Sequence, residues 1–391
     1  MTERRVWQIP ALRTDSHHER KVTWLELFYD LVFVVIISQL AHKLVTGDPV
    51  ASLGGFILLF IPVWWVWIGS TFYTERFETE GLETRLIFFL KMIPVAGLAI
   101  FIRGGLGETS AGFALSYAAA RGIITLLWLR ATIHVVEFRP VGGRYVAGFT
   151  LSFLLFISSV LVDPPLRFAF WAAGLLLDLV TPATTLAAQA KLPRFNTSKL
   201  PERFGLLVLI VLGESVVGVV SGVAEGGEFS HLTAGRGVLG LAVGFGLWWV
   251  YFDNVARRPP RAGVLRAFSW SYLHLPLVMG IAATGASITN VLAQHEALVP
   301  PPVAAVMAGS VGCSLLAIGI LETLLHRAPD EPTHTTVSPG LKLACGALAL
   351  ALAVSGAPIE PVALLGSLFL LLLVQIAYGT SVWFRRPRAA A

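Results

Sequence analysis

The lysines and arginines of this chain fall almost entirely on alternate gaps between its apolar runs, and that alternation limits what the chain can fold into. Twelve runs of roughly 18–25 residues can be marked, each about the length a helix needs to cross a bilayer. They cover about 24–45, 52–73, 84–103, 111–136, 145–162, 167–190, 203–224, 236–256, 265–292, 302–325, 339–356 and 361–384. Arg4, Arg5, Arg13, Arg20 and Lys21 precede the first run, and Arg385, Arg386 and Arg388 follow the last. The even-numbered gaps hold Arg76 and Arg85, Arg139 and Arg144, the group Lys191, Arg194, Lys199 and Arg203, the group Arg257, Arg258, Arg261 and Arg266, then Arg327 and Lys342. The odd gaps hold only Lys43, Arg103, Arg167 and Arg236, while Lys91, Arg121 and Arg130 lie within runs. A wrong number of spans would scramble this order. It therefore predicts an all-α, polytopic integral membrane protein of about twelve transmembrane helices with both termini cytoplasmic.

Composition agrees. Of the 391 residues, 55% are hydrophobic and 14% charged, with a mean hydropathy of +0.73. A soluble fold would have to hide that apolar excess, whereas a bilayer accepts it. The net charge of +5 is accounted for by positive-inside bias, so no nucleic-acid partner is expected. Cys313 and Cys345 both fall in apolar runs, which gives no disulfide framework. The first twenty residues are polar and charged, so the first span itself is expected to direct insertion into the cell membrane (the inner membrane of a bacterial cell).

Short connections leave no room for a soluble domain. The organisation predicted is a cytoplasmic segment over 1–23, a six-helix half over 24–190, a linker over 191–202, a second half over 203–384 and a basic tail over 385–391. The halves echo each other in order. Glu26 and Phe28 run into Leu31–Val35 in span 1, as Glu202 and Phe204 run into Leu207–Val211 in span 7. Trp64-Trp65-Val66-Trp67 in span 2 matches Trp248-Trp249-Val250-Tyr251 in span 8. Arg85, Lys91, Pro94 and Gly97 match Arg266, His274, Pro276 and Gly280 in spans 3 and 9. These matches point to an internal repeat with both halves in one orientation, the parallel arrangement known in transporters.

Charge in hydrocarbon costs at least a few kcal/mol per group, so each intramembrane ionisable residue needs a partner or a task. Glu214 lies twelve residues into span 7, about 18 Å at the helical rise and close to mid-membrane. Asp178 in span 6 and Arg121 in span 4 are similarly placed, while Asp30, Lys91 and His274 lie about one third of the way in from the cytoplasm. These residues are expected to line a common interior. Glu214, Asp30 and Asp178 are the candidate proton carriers or general acids and bases, since a carboxyl in low dielectric can carry or donate a proton. Arg121, Lys91, His274, Trp249, Trp65 and Tyr251 are the candidate substrate-binding residues. Against this stand plainer assignments: a fixed ion pair for Arg121 or Lys91, a histidine satisfied by one backbone carbonyl, and tryptophans in the interfacial belt. Glu26, one helical turn before Asp30, is expected at the same inner mouth.

The sequence carries no phosphate loop, no Gly-x-Ser-x-Gly, no His-Glu-x-x-His and no cysteine cluster, so no metal and no cofactor are expected. It does resemble the bacterial low temperature requirement protein A family. The resemblance rests on Thr23-Trp24-Leu25-Glu26-Leu27-Phe28-Tyr29-Asp30-Leu31-Val32-Phe33-Val34, on Pro201-Glu202-Arg203-Phe204-Gly205-Leu206 running into Leu212-Gly213-Glu214-Ser215, and on Trp248–Asp253 and Tyr272–Pro276. It implies a polytopic membrane protein and fixes no catalytic residue. The leading expectation is a proton-coupled secondary transporter of a small molecule, with a midplane site between two halves. The alternative is a membrane-embedded enzyme acting on a lipid or isoprenoid by carboxylic-acid general acid–base catalysis, such as protonation-initiated cyclisation, with the tryptophans as a cation-stabilising wall. A channel or sensor is a third, weaker reading. The bilayer and a small-molecule or lipidic substrate are the expected partners; substrate and oligomeric state are not legible.

Overall fold

In lipid a backbone must satisfy its own hydrogen bonds, and long apolar runs do so as helices. A computed structural model of the chain describes residues 8–12, 22–45, 49–78, 81–192, 199–226, 230–256, 258–294, 296–327 and 333–385. Most of the N-terminal segment, the centre of the 191–202 linker, Arg257 and the tail beyond Arg385 lie outside the described residues. A two-residue strand β1 (Ala11–Leu12) leads to α1 (Trp24–Val45) and α2 (Pro49–Arg76), and β2 (Phe77–Glu78) precedes α3 (Leu82–Phe101). Then follow α4 (Ser110–His134), α5 (Arg139–Ser159), α6 (Leu166–Ala183), the short α7 (Leu186–Gln189), α8 (Leu200–Glu225), α9 (His231–Asn254), α10 (Val264–Leu292), α11 (Pro301–Leu324), α12 (Val337–Ser355) and α13 (Pro361–Phe384). Among the described residues 12 helices, all but α7, are long and apolar enough to cross a membrane. The protein is a multi-pass, all-helical membrane protein.

Helix ends depart from the apolar runs where backbone chemistry overrides hydropathy. Span 5 begins six residues earlier than expected, at Arg139. Pro140 in its first turn donates no N–H and is preset for a helix, and the flanking Arg139 and Arg144 are exposed. Span 6 ends early. Pro182 interrupts it, Thr184 and Thr185 turn the chain, and α7 resumes separately. At the start of α1, Thr23 and Glu26 form a reciprocal capping box. The Glu26 carboxylate accepts from Thr23 N–H at 2.9 Å and Thr23 Oγ1 at 3.0 Å, and Thr23 Oγ1 accepts from Glu26 N–H at 3.2 Å.

The chain separates into two units of contact. The first comprises the described residues up to Leu40, Leu58–Leu200 and Gly263–Leu265; the second comprises Ala41–Ile57, Pro201–Ala262 and the described residues from Arg266 onward. In the first unit α4 packs on α3 and α5, and α5 on α6. One end holds an aromatic core of Tyr73, Phe77, Trp128, Phe138, Tyr145 and Phe149, joined largely edge to face. At the other end the buried Arg167 guanidinium donates to Ser110 Oγ, to the Ser159 carbonyl and to the Val162 carbonyl, tying α4, α5 and α6. The β1 strand pairs antiparallel with β2, and Gln8 N–H donates to Glu83, so residues 8–12 lie across the α2–α3 link.

In the second unit α10 is the central helix, with 78% of its span buried against 28% for α13. Glycines allow its neighbours to approach closely. A Cβ on Gly285 of α10 would sit 2.6 Å from the backbone of Glu214 in α8, and one on Gly218 of α8 would sit 2.1 Å from the Gly285 carbonyl oxygen. Thr289 Oγ1 donates across this seam to the Gly218 carbonyl at 3.3 Å. Small residues spaced by four are the usual means of bringing membrane helices into backbone contact.

Candidate functional site

Alternate faces of α1 have opposite fates. Tyr29, Asp30, Phe33 and Ile37 are buried, whereas Phe28, Leu31 and Val35 are exposed for lipid. Asp30 thus points into the first unit, where Trp67 of α2 donates its indole N–H to Oδ1 at 2.9 Å. One turn along α2, Ser70 Oγ accepts from the Lys91 ammonium of α3 at 2.7 Å. The Lys91 Nζ lies 3.8 Å from the centroid of the Phe88 ring and 4.9 Å from that of Tyr29. Rings of this kind stabilise a desolvated ammonium.

Farther along the same bundle the ion pair considered for Arg121 is present. Its Nη2 donates to Asp178 Oδ1 at 2.6 Å, and Tyr117, one turn earlier on α4, donates its hydroxyl to Asp178 Oδ2 at 2.6 Å. Both carboxylate oxygens are engaged, and neither charged side chain is more than 1% exposed. The guanidinium also lies 4.4 Å from the Phe149 ring, and Gly69 of α2 is close enough that a Cβ there would stand 3.1 Å from Nη1. Asp178 is therefore the counter-ion of Arg121 in this structure, the ion pair set against a binding role for that arginine.

The second unit holds Glu214 and His274. Glu214 is 7% exposed and sits where α8 backbone meets Gly285 of α10. His274 is fully buried with both ring nitrogens engaged. Nδ1 faces the Trp270 carbonyl at 2.8 Å and Nε2 faces Tyr251 Oη at 3.2 Å. A carbonyl only accepts, so Nδ1 carries a proton, and Nε2 shares the second hydrogen bond with the tyrosine hydroxyl; both ring nitrogens of the histidine are satisfied. Tyr251 is thereby a hydrogen-bond partner of His274 within the packing.

The tryptophans divide. Trp64, Trp65 and Trp67 are 2%, 6% and 1% exposed, which corrects their expected place in an interfacial belt: the buried face of α2 takes them inward. Trp249 is half-buried and donates its indole N–H to Asp253 Oδ2 at 2.6 Å. Glu26 also changes meaning, since the capping box turns its carboxylate to the α1 N-terminus, where the helix dipole favours an anion. Sequence reasoning missed Tyr117, whose position four residues before Arg121 was the available signal. It also counted Lys342 among loop charges. Lys342 is instead buried in α12, with Nζ 3.0 Å from Glu322 of α11 and 2.8 Å from Ser338 Oγ. Among the described residues no group of three His, Cys, Asp or Glu side chains comes together to hold a metal ion.

A cavity of about 650 Å³ opens in the first unit between α1, α2, α3 and α4. Its rim includes the exposed Trp24, Gly81 and Arg85, its walls include Phe28, Tyr73, Phe77 and Phe88, and it reaches the buried Lys91. Lys91 is nine residues into α3, about 14 Å from the helix start. Arg130 also lines the cavity and is ion-paired with Glu83, while donating to the Gln8 carbonyl.

The model of the bacterial low temperature requirement A protein (LtrA) family matches residues 21–376, nearly the whole chain. The chain belongs to the LtrA family. It is similar to an uncharacterized protein of Rhizobium meliloti (strain 1021), 27% identical over 302 residues, which covers 70% of each chain. No solved structure matches it. The LtrA match spans α1 with its capping box, the cavity, the Arg121–Asp178 pair and the α8–α10 seam.

Proposed function

We propose that the protein is a proton-coupled secondary transporter of a small molecule in the cell membrane, with the rim of the cavity on the cytoplasmic side. A path open at one end and closing on charge at membrane depth is what a carrier needs, and the cavity that ends on Lys91 supports this reading. The rim carries Arg85 and lies beside Arg76, and the positive-inside rule supports a cytoplasmic rim and cytoplasmic termini. The parallel six-plus-six repeat belongs to the same reading.

Coupling in this scheme falls on Asp30 and Glu214, while Asp178 serves as the counter-ion of Arg121. Asp30 accepts from the Trp67 indole on Oδ1. A proton arriving on this carboxylate changes the charge next to the end of the cavity without disturbing the Arg121–Asp178 pair. The alternative, a membrane enzyme acting on a lipid or isoprenoid, draws support from one observation. Trp24 and Phe28, 87% and 58% exposed, line the cavity, so a lipidic molecule has sideways access to it.

Proteoliposomes loaded with a pH-sensitive dye test the proposal. An imposed pH gradient is applied with a panel of organic acids, amines and sugars outside. At least one class is expected to evoke a proton flux that both Asp30→Asn and Glu214→Gln abolish, while both variants remain folded in the membrane. Undiminished flux in Asp30→Asn removes its coupling role. Conversion of a lipid by the purified protein with no vectorial movement replaces the transporter with the enzyme.

A further inference from the structure

We propose that a second cavity, between α9 and α13 of the second unit, binds an uncharged planar ring compound by its lactam edge, which pairs with the carboxamide of Gln375. The site is separate from the α1–α4 cavity, and the inference does not rest on the transport reading.

The cavity follows from one close contact. α9 packs on α13, and a Cβ on Gly246 of α9 would stand 3.0 Å from Leu372 Cβ of α13, so the two helices touch at that level. Toward their C-terminal ends, at Asn254 and Phe384, they leave a cavity of about 520 Å³, a size that holds a small organic molecule. Trp249, Trp383 and Phe384 line it with aromatic rings. Gly379 of α13 also lines it, and a Cβ added there would meet nothing within 4 Å.

Its inner end is polar. Gln375 lies about one turn past Leu372 and nine residues before Phe384, about 14 Å along the helix. It lines the cavity and is 6% exposed, and neither Oε1 nor Nε2 has a hydrogen-bond partner among the described residues. The Cys345 thiol of α12 adjoins the amide. Sulfur is a weak hydrogen-bonding atom and answers one N–H at most, so the carbonyl and the second N–H stand unmatched. Buried polar groups are as a rule matched, and a ligand in the cavity would match these.

The unmatched atoms define the ligand. A carboxamide holds a donor and an acceptor side by side in one plane, and a lactam presents the complementary pair at the same spacing. An alcohol carries both functions on one oxygen, and a ketone has no donor. A flat ring suits walls of tryptophan and phenylalanine, on which it can stack. No net charge is called for, since the ionisable residues lining the cavity are one acid and one base. Asp253 accepts from the Trp249 indole at 2.6 Å, and Arg258 donates to the Asp253 carbonyl at 3.1 Å.

Three matched probes separate the edge from the ring: 2-quinolone, 1-methyl-2-quinolone, which lacks the N–H, and quinoline, which lacks the carbonyl. Binding is measured by equilibrium dialysis against the full chain in phosphatidylcholine nanodiscs, with empty nanodiscs subtracting partition into lipid. Saturable binding of 2-quinolone is expected, about tenfold tighter than either of the others. Gln375→Leu keeps the bulk of the side chain and removes an unmatched amide, so it is expected to fold and to weaken 2-quinolone about tenfold, to the level of the methylated probe. Gly379→Leu fills the open space on a helix that tolerates leucine, and is expected to abolish saturable binding. Equal affinities for the three probes overturn the inference, as do the absence of saturable 2-quinolone binding and full-strength binding in a folded Gln375→Leu protein. If Gln375→Leu does not fold, the probe comparison on the unaltered chain and Gly379→Leu decide, and undiminished binding in Gly379→Leu overturns the site.

Discussion

The Arg121–Asp178 pair gives the sharpest test of whether its charges are structural. Asp178→Asn keeps the shape of the side chain and leaves an oxygen for Tyr117, but it strands the Arg121 guanidinium in a site where it is 1% exposed. Removing one partner of a buried pair costs about 3–5 kcal/mol, because the remaining charge is uncompensated. Arg121→Met strands the carboxylate with Tyr117 as its remaining donor in the triad, and a loss of the same order, about 3–5 kcal/mol, is expected. The double variant Arg121→Met/Asp178→Asn carries no buried charge. It forfeits the guanidinium's contact with Phe149 and part of the Tyr117 hydrogen bond, together about 1–2 kcal/mol. The double change is therefore expected to destabilise less than either single change. Unfolding by sodium dodecyl sulfate titration in mixed micelles, followed by tryptophan fluorescence, reads the three values. Losses that simply add, with the double variant worst, would refute the argument that the two charges answer each other.

Other sites give independent expectations. Gly285→Ala should destabilise by about 2 kcal/mol or more and shift the same titration, since its Cβ would stand 2.6 Å from the Glu214 backbone; unchanged unfolding would mean that the α8–α10 seam is looser than described. Thr23→Ala removes half of the capping box and is expected to cost about 1 kcal/mol, with faster amide hydrogen exchange confined to the first turn of α1. His274→Phe leaves the Tyr251 hydroxyl without its hydrogen-bond partner in a fully buried site, a loss of about 1–3 kcal/mol; adding Tyr251→Phe should recover part of it in thermal unfolding. Lys342→Met leaves Glu322 with Arg327, 3.9 Å away, as its remaining cation and is expected to cost about 1–3 kcal/mol, with Glu322→Gln as the compensating second change.

The number of crossings was legible because hydrocarbon thickness and charge bias act on the chain before any tertiary contact forms. Helix ends were legible to within a few residues for the same reason, as at α1 and α13. They failed where proline chemistry took over, at Arg139-Pro140 and after Pro182. Which residues were buried could be read from cost, since Asp30, Lys91, Arg121, Asp178 and His274 are each at most 3% exposed. Which residues meet could not. Asp30, Asp178 and Glu214 were all acceptable acids for Arg121, and the choice of Asp178 depends on how α4 packs through α5 to α6. The contacts the structure adds are local ones: Trp67 with Asp30, Ser70 with Lys91, Asp178 and Tyr117 with Arg121, Tyr251 with His274. The Thr23–Glu26 capping box was legible in principle, but an acid one turn before Asp30 invited a functional reading that the helix terminus makes unnecessary.

The contact of Gly218 with Gly285 has a mechanical consequence. Where two main chains touch, no layer of rotamers can reshuffle to let one rod slide on the other, so shear along that line is blocked. The stretches of α8 and α10 around these glycines, bridged by Thr289, therefore travel as a single strut, and any shape change in this unit has to be absorbed where bulky side chains hold the neighbouring rods apart.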